Sequence, residues 1–146
     1  MTVVRNNPLG EKDFVETLIP QRFPFVMVDK LYSYSETELV SGFTIQSDAL
    51  FLENDFFLES GIIEHMAQSV ALHTGYQFYL KKMQAPTGYI GSVKDIEISQ
   101  LLKLHDEIIT TVSILQEFGG ITLVDVVTKL DDVEIAKGQM KTVLAK

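Results

Sequence analysis

The chain has 146 residues, of which 46% are hydrophobic and 22% charged, a balance that excludes disordered and fibrous classes and suits one folded domain over 1–146. It contains no cysteine, so thiolate nucleophiles, disulfide frameworks and cysteine-based zinc sites are excluded, and no metal is expected. A formal net charge of −8 argues against nucleic acid as the main ligand, because that recognition needs a clustered basic surface.

The N-terminus has no basic segment followed by an apolar run, and no apolar stretch is long enough to span a bilayer, so a cytoplasmic protein with a flexible Met1–Gly10 is expected. Asp13–Ile19 reads as a short amphipathic helix that Pro20 ends, because proline disfavours helical geometry in the residue before it. After a loop over Gln21–Pro24, Phe25–Tyr34 and Glu38–Ile45 are rich in β-branched and aromatic residues and flank the polar Ser35-Glu36-Thr37, the pattern of two strands and a turn. From Glu59 to about Lys82 the period changes. Ile63, Met66, Ala67, Val70 and Thr74 recur at helical spacing, and Ala71, Leu72, Tyr76 and Tyr79 widen the apolar surface, which predicts one long, largely buried helix.

Pro86 and Gly88 close that helix, and the rest reads as strands. Glu107–Gln116 alternates, with Ile108, Thr110, Val112 and Ile114 on one face. Gly119-Gly120 accepts positive φ and predicts a hairpin into Ile121–Leu130, and Asp131-Asp132 does the same before Val133–Leu144. Two strands, a long helix and about four more strands make an α+β domain in which a curved antiparallel sheet packs around one helix.

One segment carries a chemical signal: Ser60-Gly61-Ile62-Ile63-Glu64-His65-Met66-Ala67-Gln68. Glu64 lies between Ile63 and Met66 in an otherwise apolar stretch, where desolvation favours a proton-holding carboxyl suited to general acid/base work. Gln68 is one turn further along the same face, so its amide can orient the Glu64 side chain. Gly61 lies in the first turn, where unpaired amides and the helix dipole can polarise a carbonyl oxygen such as that of a thioester. Against this stands the ordinary reading, in which a helix glutamate faces solvent or pairs within a structural network. His65 is about 100° around the helix from Glu64 and reads as structural. His73 and His105 have no partner at a telling spacing, and Glu59 is explained by the helix dipole.

Two segments resemble the bacterial 3-hydroxyacyl-acyl-carrier-protein dehydratases of the FabZ type. Leu18-Ile19-Pro20-Gln21-Arg22-Phe23-Pro24-Phe25-Val26-Met27-Val28-Asp29-Lys30 is similar to that family's Leu-Pro-His-Arg-Tyr/Phe-Pro-Phe-Leu-Leu-Val-Asp-Arg signature, and Ile62–Gln68 to its Ile-Ile-Glu-Ala-Met-Ala-Gln helix. A weaker likeness runs through Gly91–Asp106 and the terminal strands. The resemblance implies a hotdog fold, a dimer with tunnels at its interface, and cofactor-free dehydration of (3R)-hydroxyacyl groups on the phosphopantetheine arm of acyl carrier protein. It places Glu64 at the catalytic glutamate and Gly61 where an amide would bind the thioester carbonyl.

The family's second catalytic group, a histidine in a Gly-His-Phe-Pro stretch before the helix, has no counterpart in Phe51–Phe57. Asn54 is the nearest positional match, and an asparagine can hydrogen-bond a substrate but cannot take up a proton at physiological pH. The region is also shorter and lacks the family's Pro-Gly, which resembles the dehydratase-like proteins of aryl-polyene or related polyketide-type lipid pathways. Three expectations follow. The first is a dehydratase, a hydro-lyase with Glu64 as acid, Gly61, Gln68 and Asn54 around the substrate, and a C2 base from Glu64 itself, from Glu53 or Asp55 of another subunit, or from a partner chain. The second, favoured by the missing histidine, is a non-catalytic acyl-binding subunit of a heterodimeric dehydratase; on either reading the chain is expected to form a homodimer or a heterodimer with another hotdog subunit. The third is a hotdog thioesterase, against which the Pro20–Lys30 signature argues. Lys81, Lys82, Lys94 and Lys103 are the candidate contacts for an acidic carrier protein.

Overall fold

The computed structural model describes residues 8–145. Helix α1 (Lys12–Leu18) is followed by strands β1 (Lys30–Tyr34) and β2 (Glu38–Thr44), the two-residue strands β3 (Leu52–Glu53) and β4 (Phe56–Phe57), and helix α2 (Glu59–Leu80). Then come β5 (Gly88–Ile98), the short β6 (Leu102–Lys103), β7 (Glu107–Phe118), β8 (Ile121–Leu130) and β9 (Val133–Leu144). Six strands form one antiparallel sheet in the order β1-β2-β7-β8-β9-β5, and β3-β4-β6 form a small second one. The expected sheet around a central helix is therefore present: α2 packs on β2, β7, β8 and β5.

The turns are where the local chemistry placed them. Gly119 and Gly120 have φ of 60° and 82°, and Asp131 and Asp132 have 51° and 66°, the left-handed geometry that short hairpins require. Ser35 caps its own turn, its hydroxyl accepting from the amides of Thr37 and Glu38 at 3.3 and 3.0 Å. Of the segment expected to be flexible, residues 1–7 lie outside the described residues, and Gly10 exchanges two backbone hydrogen bonds with Leu31.

Two expectations are corrected. The first strand begins at Lys30, not Phe25, because the Phe25 carbonyl and both backbone polar groups of Met27 are taken by side chains of α2, and the Phe25 amide by the Arg22 carbonyl, so they are unavailable to a sheet ladder. The buried face of α2 is also rotated from the one expected: Ile62, His65, Met66, Ser69, Leu72 and His73 are buried, whereas Ile63, Ala67, Ala71 and Thr74 are half-buried. Apolar residues surround this helix, so periodicity alone could not orient it. Orientation comes from polar groups that reach the sheet, including Ser69 Oγ, 2.7 Å from Ser41 Oγ on β2. Ile62, Met66 and Leu72, all fully buried, contribute about 1.5–3 kcal/mol each.

The Val28-Asp29-Lys30 end of the first motif serves architecture. The Lys30 ammonium lies 2.9 Å from Asp29 and 3.3 Å from Glu107, and Tyr32 donates its hydroxyl to Glu107 at 2.6 Å. Burial raises the Asp29 carboxyl above its ordinary pKa, against the lowering effect of Lys30.

Candidate active site

Half-buried Glu64 and buried Gln68 lie one turn apart on α2, and Gln68 Nε2 donates to Glu64 Oε2 at 2.8 Å. The same nitrogen donates to the Phe25 carbonyl at 2.7 Å, and Gln68 Oε1 accepts the Met27 amide at 2.7 Å. The glutamine thus uses both ends of its amide and is itself nearly inaccessible. Its three bonds fix the Glu64 carboxyl, the helix and the 25–27 segment as one unit.

His65 completes the anchor from the core side. Its Nδ1 lies 2.6 Å from the Met27 carbonyl, so that nitrogen carries the proton, and Nε2 must accept from the Thr110 hydroxyl at 2.7 Å. Thr110 in turn accepts from Thr128, 2.6 Å away. Complete burial pushes the His65 pKa down to about 4, against a smaller raising effect of the Met27 carbonyl. A neutral imidazole committed at both nitrogens holds structure in place, in agreement with the reading of His65 as structural.

Glu64 and Gln68 line a cavity of about 390 Å³ between α2, the 17–21 segment, the 84–90 segment and the end of β9. The helix wall is built of small side chains, Ala67, Ala71, Thr74 and Gly75, which leave room along its length. An ideal Cβ on Gly75 would lie 2.1 Å from the Leu18 carbonyl oxygen, so this glycine allows α1 to close one end. Among the described lining residues the titratable groups are Glu64 and Tyr89, with no histidine or lysine. The wall therefore presents a single carboxylate, tied through one oxygen and with Oε1 left for a ligand.

Gly61 and Asn54 do not line this cavity. The amide expected to be unpaired at Gly61 donates to the Leu58 carbonyl at 3.0 Å, because the chain enters the helix through a tight turn, and Ile62 donates to that same carbonyl at 3.1 Å. The Phe57 ring packs where a Gly61 side chain would be. Asn54 is exposed at the tip of the β3–β4 turn with φ 52°, followed by Asp55 with φ 67°. Its residue type is accounted for by that geometry, since asparagine tolerates the left-handed region better than most residues. Lys81, Lys82, Lys94 and Lys103 are exposed. No three His, Asp or Glu side chains converge on a metal position among the described residues, and no described helix is long and apolar enough to cross a membrane.

Sequence reasoning missed the contribution of Phe25 and Met27, which act through backbone atoms and so leave no residue-type signal. It also gave no role to Gln21, which lines the cavity and stands where the resembled signature has histidine.

The profile of the ApeP-like family, described as ApeP dehydratase, matches residues 14–145. A 3-hydroxyacyl-acyl-carrier-protein dehydratase FabZ of Vibrio atlanticus is 26% identical over 137 residues, covering 87% of this chain and 88% of that protein. The FabZ of Thermotoga maritima is 27% identical over 133 residues, covering 88% and 93%. Among solved structures, the dehydratase heterocomplex ApeI:P of Xenorhabdus doucetiae superposes with a TM-score of 0.84 at 14% identity, covering 90% of this chain and 91% of that one. The fold is the hotdog fold.

Proposed function

We propose a function for this chain from one premise: it belongs to the ApeP-like family of dehydratases. The function is dehydration of a 3-hydroxyacyl thioester, carried by acyl carrier protein, in a lipid pathway of fatty-acid or polyketide type. The observation that carries this reading is Glu64 on the cavity wall, held through Oε2 by Gln68. In the reaction a base takes the C2 proton, the C2–H electron pair becomes the C2=C3 bond, and the C3–O bond breaks. Glu64 gives its proton to the departing hydroxyl, so the products are an enoyl thioester and water. The small residues along α2 leave the acyl chain a path.

Lys81 and Lys82 precede the Gln84–Thr87 rim and are suited to an acidic carrier protein.

A second reading rests on the same wall. With one carboxylate and no histidine among the described lining residues, the C2 base is either Glu64 itself or a group from another chain. Among the described residues the outer edge of β5 has no strand partner, which leaves a strand of 11 residues for a second hotdog subunit to pair with. The ApeI:P assembly is a dehydratase heterocomplex. On this reading the chain is one subunit of such a pair, and turnover needs the other.

Incubation of the purified protein, alone and with a second hotdog dehydratase subunit that carries the histidine, with a 3-hydroxyacyl carrier-protein thioester separates the readings. An enoyl product from the single chain supports autonomous dehydration, and one formed only with the partner supports the subunit role. Free acid would instead mean thioester hydrolysis, and lack of both product and binding would overturn the proposal.

A further inference from the structure

We infer that Gln21 is a substrate-binding residue whose amide oxygen receives the hydrogen of the substrate's 3-hydroxyl group beside Glu64. The inference rests on the dehydratase reading and goes beyond it by assigning the second contact of the departing group. Gln21 Oε1 is shut away from solvent and accepts no hydrogen bond, and it is the one buried side-chain polar atom among the described residues in that condition. Folded proteins seldom leave such an atom unpaired, since the oxygen has given up water for nothing. The nearby carbonyls are satisfied: that of Gln21 accepts from Arg22 Nη1 at 2.7 Å, and that of Ile19 from the same nitrogen at 2.8 Å.

The location gives the orphan oxygen a use. Gln21 lines the cavity that holds Glu64 and Gln68. Gln68 cannot serve a ligand, because its nitrogen is committed to Phe25 and Glu64 and its oxygen to Met27. Glu64 retains Oε1. A hydroxyl has one hydrogen to give and lone pairs to receive. In the step where Glu64 acts as the acid, its proton goes to the hydroxyl oxygen, so the hydroxyl hydrogen needs a separate acceptor, and Gln21 supplies a neutral one. The terminal torsion of glutamine is soft, so on ligand binding the amide turns this oxygen out of its unpaired position and towards the hydroxyl. When the C3–O bond breaks and the Glu64 proton arrives, the nascent water keeps Gln21 as acceptor for its other hydrogen. Gln21 exchanges no proton and is needed because a hydroxyl must be gripped at both ends to leave in one direction.

The test uses the full chain, two ligands and two variants. Binding of (3R)-hydroxyoctanoyl-pantetheine and of octanoyl-pantetheine, which lacks only the hydroxyl, is measured by calorimetry. Wild type should prefer the hydroxylated ligand about tenfold, as expected of a buried hydrogen bond to a neutral acceptor. Gln21→Met, which keeps length and removes the amide, should reduce that preference to the part that Glu64 supplies while holding octanoyl-pantetheine as before, and Gln21→His should restore part of the loss. Because Gln21 makes no side-chain bond in the free protein, the Gln21→Met melting temperature should be equal to or higher than that of wild type. Equal weakening of both ligands, an unchanged preference, or a marked fall in melting temperature would each overturn the role. If wild type binds neither thioester, the dehydratase reading falls and this inference with it.

Discussion

His65 Nδ1 lies 2.6 Å from the carbonyl oxygen of Met27, joining the centre of the long helix to a segment 38 residues earlier in the chain. With the Gln68 bonds to Met27 and Phe25, it makes the 25–27 segment a fixed wall beside Glu64. The chemistry of the site therefore depends on a histidine that takes no part in it.

The burial of His65 gives the protein an acid weakness. The His65 pKa falls from 6.5 when unfolded to about 4 when folded, so the unfolded chain binds the proton first. Stability from this group is complete above about pH 6.5, declines as pH falls, and stops declining below about pH 4, a total of about 3 kcal/mol at 1.36 kcal/mol per unit. The buried His73, also lowered, adds in the same direction. Urea denaturation between pH 4 and 7 should show this slope, and His65→Asn should flatten it. A wild-type slope of zero across that range would contradict the assigned burial.

Gln68→Leu removes three hydrogen bonds and leaves the Met27 amide and the Phe25 carbonyl without partners. A loss of about 2–4 kcal/mol is expected by chemical denaturation, well above the cost of an exposed helix substitution. Loss below about 1 kcal/mol would mean the 25–27 segment is held by something else.

Glu64→Gln should leave the melting temperature nearly unchanged, since Glu64 is half-buried and a glutamine amide still offers an oxygen to Gln68. Enoyl formation should fall by about 10²–10⁴, the range of a lost general acid. A variant with full turnover removes Glu64 from the mechanism.

Asn54→Gly retains the backbone freedom that φ 52° needs and deletes the side-chain amide. If Asn54 serves only the turn, stability and turnover both persist. A selective rise in KM would assign it to the substrate.

Gly75→Ala and Gly138→Ala both place a new Cβ near 2.2 Å from an existing atom, yet they should differ. At Gly75 the obstacle is the Leu18 backbone carbonyl, whereas at Gly138 it is the Cδ1 end of Ile96. The rigid contact should cost about 1–3 kcal/mol more and loosen α1 from the cavity. Equal melting temperatures for the two variants would show that α1 moves freely.

Local rules determined much of this protein. Turn chemistry at Gly119-Gly120 and Asp131-Asp132, alternation along Glu107–Gln116 and helical spacing after Glu59 were legible because each depends on neighbours in sequence. The Glu64–Gln68 pair was legible too, being one helical turn apart on a common face. Tertiary structure alone decided which face of α2 is buried, that Phe25–Asp29 leaves the sheet, and that Gln21 faces the cavity. The first two outcomes are set by hydrogen bonds spanning about 40 residues or more, from His65 and Gln68 to Met27 and from His65 to Thr110. Sequence spacing cannot encode such partners, because a buried polar group takes whichever complement the fold brings to it.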